Sequence, residues 1–207
     1  MNTFIFFFSC LVTLFSVFDP FGAAVTLLAL TLGDTEERRN EQARKAVFIS
    51  AAILLTFTLF GGLIFALFGI SIQALLVAGG IILCLIAIKM LEGAALDYKS
   101  TKPELAEAET KEDIAIIPLA IPVIAGPAAI TTVMVFANRA EGVLDWIALF
   151  LAIGATLFLT HIILQRSRKI SDWLGETGVR VLTRIMGLIL LAMGAEFVLS
   201  GVKGYFG

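Results

Sequence analysis

The placement of charge constrains this chain more than any other feature. Its 15 basic and 17 acidic residues are gathered, not spread: 28 of the 32 fall at 34–45, 92–113, 139–145 and 166–184. Only Asp19, Lys89, Glu196 and Lys203 lie outside those windows. Between them run apolar stretches at 3–32, 46–91, 114–138, 146–165 and 185–202. About 20 apolar residues in a helix cross the roughly 30 Å of bilayer hydrocarbon. The stretch 46–91 suits two crossings and breaks at Gly69-Ile70-Ser71, a tight turn. The pattern predicts an all-α membrane protein of six helices, near 3–31, 46–68, 72–91, 114–137, 144–165 and 182–203.

Composition agrees. The 207 residues are 59% hydrophobic and 15% charged, with a mean hydropathy of +0.98. A soluble globule of this size lacks the interior for so much apolar surface. That excludes a soluble enzyme and a disordered chain. A net charge of -2 offers no basic face for nucleic acid. Cys10 and Cys84 sit in apolar runs and read as free thiols. The single histidine, His161, cannot build a metal set or a catalytic triad. No G-x-x-x-x-G-K-[ST] loop is present for ATP. The sequence points to no enzyme, no cofactor and no metal.

Cations orient the chain. The loops between helices 1 and 2, 3 and 4, and 5 and 6 hold Arg38, Arg39, Arg44, Lys45, Lys99, Lys102, Lys111, Arg166, Arg168, Lys169 and Arg180. The other side has only Arg139 and Lys203. By the positive-inside rule those three loops face the cytoplasm and both termini face out. Met1-Asn2-Thr3-Phe4 has no basic n-region, so the first helix is expected to stay as a span. Trp146 and Trp173 flank helix 5 as interface residues do.

The chain resembles itself. Gly22-Ala23-Ala24-Val25-Thr26 matches Pro127-Ala128-Ala129-Ile130-Thr131 at an offset of 105. Gly80-Ile81-Ile82-Leu83 matches Gly187-Leu188-Ile189-Leu190 at an offset of 107. The expected organisation is a three-helix repeat at 1–95, an acidic cytoplasmic linker at 96–113 and a second repeat at 114–207. Three is odd, so the second copy enters the membrane from the opposite side. Inverted repeats of this kind are typical of secondary transporters.

Both repeats are interrupted near the midplane. Helix 1 contains Phe18-Asp19-Pro20-Phe21-Gly22, and helix 4 contains Ile121-Pro122-Val123-Ile124-Ala125-Gly126-Pro127. Proline removes a donor and glycine permits unusual angles, so each helix should unwind for about a turn. Freed backbone groups in hydrocarbon must be buried or line a cavity. Each following half-helix presents free N–H groups and the positive dipole end to an anionic group. Carbonyls of the broken segment suit a cation or ammonium. A small zwitterion fits both ends. The candidate binding residues are Asp19, Pro20, Gly22, Ala23, Thr26, Ala125, Gly126, Pro127, Ala128, Thr131 and Thr132. Asp19 has two open roles, an acceptor for H+, Na+ or a substrate ammonium, and an N-cap of the second half-helix. Glu196, inside helix 6, is the other candidate for ion or proton coupling. Lys89 reads as a snorkelling residue and His161 as interfacial.

Phe68-Gly69-Ile70-Ser71, Ala78-Gly79-Gly80-Ile81-Ile82 and above all the run Ile117–Thr132 resemble the MarC family of bacterial and archaeal membrane proteins, over essentially the whole chain. The resemblance implies a six-helix inner-membrane protein related to the LysE-type exporter superfamily, and some members of the family are described as transporters of small neutral amino acids. It also marks departures. Asp19-Pro20-Phe21-Gly22 stands where the family has Asn-Pro-x-Gly, Val25 where it often has proline, and Glu196 where glutamine is common.

The function expected is secondary transport of a small neutral amino acid or similar solute, coupled to H+ or Na+. The alternatives are a passive channel or exporter, and a membrane protein that docks partners without transport. The expected surroundings are the lipid bilayer and, through Phe-rich faces of helices 1 and 2, either lipid or a second protomer.

Overall fold

The computed structural model describes residues 2–31, 34–92, 119–120 and 123–206. Among them are seven helices: α1 (Thr3–Phe18), α2 (Pro20–Leu30), α3 (Glu36–Leu67), α4 (Ile72–Glu92), α5 (Pro127–Arg139), α6 (Val143–Gln165) and α7 (Ser167–Phe206). Five segments are long and apolar enough to cross a membrane: Thr3–Leu28, Glu36–Leu67, Ile72–Glu92, Val143–Gln165 and Arg180–Phe206. The expected fourth crossing, 114–137, begins in residues outside the described ones and is not among the five; α5 has 13 residues, about 20 Å at 1.5 Å per residue. The acidic linker 96–113, residues 114–118, and Ile121 and Pro122 lie outside the described residues.

Helix limits have local causes. α3 starts at Glu36, ten residues before its apolar stretch. Thr35 caps it, accepting from Arg38 N, and i,i+4 pairs Asp34–Arg38 and Glu41–Lys45 support the polar turns. Hydropathy sees only the part in hydrocarbon. The helix stops where Gly69 adopts φ +68. There Gly69 N donates to Ala66 O and Ile70 N to Phe65 O, which closes the last turn. Ser71 Oγ then accepts from Ala74 N at the start of α4. α7 has its own break at Gly175, φ +61, so the residues before it form a short helix separate from the span that follows.

α5 is the centre of the molecule. Eight of its residues are buried, Phe136 and Met134 among them. α3 is the opposite, with Phe48, Leu55, Leu59, Phe60, Leu63 and Leu67 exposed. An apolar surface of that extent suits lipid and not water.

Two regularities mark the helix packing. Buried residues of α3 and α6 recur 106 apart: Arg39 and Asp145, Gln42 and Ala148, Ala43 and Leu149, Ala46 and Ala152, Ser50 and Thr156, Leu54 and Thr160, Thr58 and Leu164. Antiparallel α4 and α7 pack closely through Gly187, Gly194 and Gly201, spaced by seven. A Cβ on Gly194 would meet Gly80 O at 2.8 Å, one on Gly187 would meet Ala87 O at 3.2 Å, and one on Gly201 would meet Gln73 O at 2.8 Å. Close approach of backbones through small residues is how membrane helices gain packing without a hydrophobic drive.

Candidate functional site

The first break is one residue wide. Asp19 ends α1 and begins α2 with φ 45 and ψ 67, the left-handed conformation that Asp and Asn tolerate best after glycine. Its N–H donates to Phe15 O at 3.1 Å, and its own carbonyl accepts from Ala23 N at 2.9 Å. Its Oδ1 accepts from Gly22 N at 3.2 Å. Pro20 occupies the first turn of α2, where a missing N–H costs nothing. Asp19 is wholly buried. The capping role open to it from the sequence is therefore present in the structure.

The second break is built differently. Leu119, Ala120, Val123 and Ile124 carry π-helical bonding, and Ala125 N donates to Ala120 O at 2.8 Å. Gly126 is extended, φ -75 and ψ 176, and stands as the N-cap of α5 with no side chain to offer. Pro127 is again in the first turn. The first N–H of α5 to meet a turn carbonyl is that of Ile130, which donates to Gly126 O at 3.0 Å. The earlier donors of Ala128 and Ala129 have no side-chain cap.

A cavity of about 300 Å³ lies at this second break. Gly126, Pro127, Ala128 and Ala129 line one side, Ile82, Leu85 and Ile86 of α4 another, and Val17 comes from the last turn of α1. Its volume is at the lower end of small-molecule sites. Its side chains are apolar, so polarity comes from backbone. Asp19 is two residues from a lining residue but does not itself line the cavity.

The remaining candidates separate. Ala23 is fully buried in α2. Thr26 Oγ1 donates to Gly22 O at 3.0 Å and Thr132 Oγ1 to Ala128 O at 2.8 Å, each bound to its own helix. Thr131 turns its methyl into α4 at Gly79, where no Cβ would fit. Glu196 is exposed on α7, accepts from Ser200 Oγ at 3.3 Å, and is not among the cavity's lining residues. Lys89 is exposed and His161 is half-buried. Cys10 is buried and Cys84 half-buried, both free. Among the described residues no three His, Cys, Asp or Glu side chains gather as a metal site.

Sequence reasoning missed two buried ionic side chains. Asp145 is 7% exposed and accepts from Thr3 Oγ1 at 2.8 Å and Glu141 N at 3.3 Å. Arg39 is 5% exposed. Arg39 reads in the sequence as loop charge and Asp145 as the end of the 139–145 charge window; their helical phase with the apolar positions after them is the available signal.

The chain matches the family described as "MarC family integral membrane protein" over residues 4–206. It is 38% identical to the UPF0056 membrane protein MJ1677 of Methanocaldococcus jannaschii, covering 93% of each chain. It is 41% identical to the UPF0056 membrane protein YvbG of Bacillus subtilis, over 94% of this chain and 93% of the relative. Identity to the UPF0056 membrane protein YhcE of Escherichia coli is 35%, over 97% and 93%. No solved structure is a significant match. A family match across nearly the full length, and several long apolar helices, make this chain a multi-pass member of the MarC family of integral membrane proteins.

Proposed function

We propose that the chain is a secondary carrier of a small zwitterionic solute such as a neutral amino acid, coupled to H+ or Na+ and set in the cytoplasmic membrane. The observation that carries the reading is the pair of broken helices with a cavity between α4 and the second break. The two α-helix starts differ in what they offer. Asp19 already fills the anion position at the start of α2. The start of α5 has no such cap, and Ala128 and Ala129 line the cavity. The solute carboxylate belongs at α5, and its ammonium, or the coupling ion, belongs toward Asp19.

An inverted three-helix repeat with six spans supports alternating access. The repeated buried stripe of α3 and α6 favours it. So does the α4–α7 contact, since exchanging halves at an offset of 107 turns the Gly80–Gly194 approach into the Ala87–Gly187 approach. In this reading both termini face out and the three cation-rich loops face the cytoplasm. It assigns the chain no enzymatic step.

The test begins with thermal unfolding of detergent-purified protein against glycine, L-alanine and L-serine, with and without Na+, at two pH values. A ligand that binds only the folded state raises stability as RT ln(1 + [L]/Kd). Binding that depends on pH or Na+ is the expected result, followed by saturable counterflow in proteoliposomes. Asp19→Asn should abolish the ion dependence and Asp19→Glu keep part of it. Uptake that is pH- and Na+-independent in wild type and both variants overturns coupling at Asp19. Flux that never saturates favours a channel.

A further inference from the structure

α3 turns one face inward along its length, and in its N-terminal half that face carries Arg39, Gln42 and Ser50 buried beside Ala43 and Ala46. The Arg39 Nε is closed to solvent and meets no acceptor. No carboxyl group of the described residues forms an ion pair with it. Ser50 is fully buried with its Oγ unpartnered, while Thr58, farther along the same face, donates to Leu54 O at 2.6 Å.

Arg39 is a demanding cation to leave without an anion. A guanidinium does not lose its proton in proteins. It lies close to the N-terminus of α3, where the helix dipole disfavours positive charge. Burial removes the water that would otherwise screen it. Its exposed neighbours do have partners: Arg38 pairs with Asp34 at 3.8 Å and Lys45 with Glu41 at 3.2 Å. The other end of the molecule shows the satisfied version. Asp145, at the equivalent position of the α6 stripe, has two donors on its carboxyl group. Asp145 is bonded by the protein's own groups, whereas Arg39 Nε is buried with no acceptor.

We propose that Arg39 is a carboxylate station at the cytoplasmic mouth of the bundle, holding the solute on its way along the inward face of α3 to the broken helices. Ser50 lies 11 residues deeper on that face, roughly 16 Å at the helical rise, and is a second buried polar group there with no partner. The identity of the solute rests on the carrier reading above; the anion site rests on Arg39 itself.

Phenylglyoxal, which modifies guanidinium groups, tests the station directly. The full-length protein in nanodiscs is treated with it alone, or with L-alanine, L-alanine methyl ester or inorganic phosphate, and Arg39 and Arg166 are followed by peptide mass spectrometry. Counterflow of L-alanine is measured in parallel. L-alanine should slow modification of Arg39 and leave Arg166 unchanged, and the ester, which lacks the carboxylate, should give no protection. In counterflow, Arg39→Gln should raise the half-saturating L-alanine concentration on the cytoplasmic side about tenfold and leave the outer side unchanged, with Arg39→Lys restoring part, as loss of one charge-assisted fork predicts. If wild type counterflows L-alanine and Arg39 is unprotected, or the ester protects equally, the station is overturned and the carrier stands. If L-alanine protects Arg39 and no amino acid is carried, the carrier reading falls and the carboxylate site stands. Protection by phosphate alone overturns the carboxylate assignment in favour of free phosphate or a lipid headgroup, which vesicles with and without anionic lipid then separate.

Discussion

The two helix breaks occupy corresponding places in the chain and solve the same backbone problem by different chemistry. At the first, one residue serves both helices: Asp19 closes α1 with its N–H, opens α2 with its carbonyl, and caps α2 with its carboxyl group. At the second, a π-turn ends at an extended glycine, and α5 begins without a side-chain cap beside a cavity. The first break has a side-chain cap from within the protein, and the second has none. A break in a membrane helix is thus not a binding site by virtue of its Pro and Gly. What matters is whether the protein's own side chains take up the freed groups.

The largest effect should come from removing the residue that makes the first break self-sufficient. Asp19→Ala leaves Gly22 N–H without its acceptor and puts a residue with no local side-chain bond at φ 45. Loss of the cap and left-handed strain together should cost roughly 2–4 kcal/mol. Asp19→Asn keeps an acceptor and a tolerant backbone, so it should stay within about 1 kcal/mol of wild type. Thermal unfolding in detergent separates the two. Equal loss in both variants would mean that the charge, not the cap, holds the first break.

A smaller change should make the second break imitate the first. Gly126→Asp supplies a side-chain acceptor to the first turn of α5, where none exists. A cap in place of glycine is worth only a few tenths of a kcal/mol, and this one brings a charge into a buried, apolar-lined site, so the unliganded protein should gain no stability. The same carboxyl group occupies the anion position, so the stabilisation by L-alanine should vanish. A variant that binds L-alanine as wild type does would remove the solute carboxylate from α5.

Much of this contrast was legible in the sequence. Asp19-Pro20 and Gly126-Pro127 mark the two helix starts to within a residue, because proline in a first turn and a capping or extended residue before it are local requirements. The turn at Gly69 was equally local. Three things were not legible. The onset of α3 at Glu36 depends on caps and ion pairs that hydropathy does not weigh. The cavity wall from Ile82, Leu85 and Ile86 depends on which face of α4 meets α5, and a helix apolar all round does not announce its inward face. Thr26 and Thr132 were read as hydroxyls open to a solute, yet each donates to the carbonyl four residues before it. That bond is available to any helical threonine and hides its donor without leaving a trace in the sequence.

Those threonines give the finest test of the contrast. In Thr26→Val and Thr132→Val the shape is kept, and the carbonyls that lose a second donor, Gly22 O and Ala128 O, remain inside helices. Each substitution should change stability by less than about 1 kcal/mol and leave half-saturation by L-alanine within about twofold. Thr131 differs, since its Oγ1 has no bond among the described residues and its methyl is wedged at Gly79 beside the second break. If the second break holds the solute, Thr131→Val should weaken L-alanine more than Thr26→Val does, by about tenfold for one lost hydrogen bond in a dry site. The reverse order would move the solute carboxylate from α5 to α2, beside the Asp19 cap.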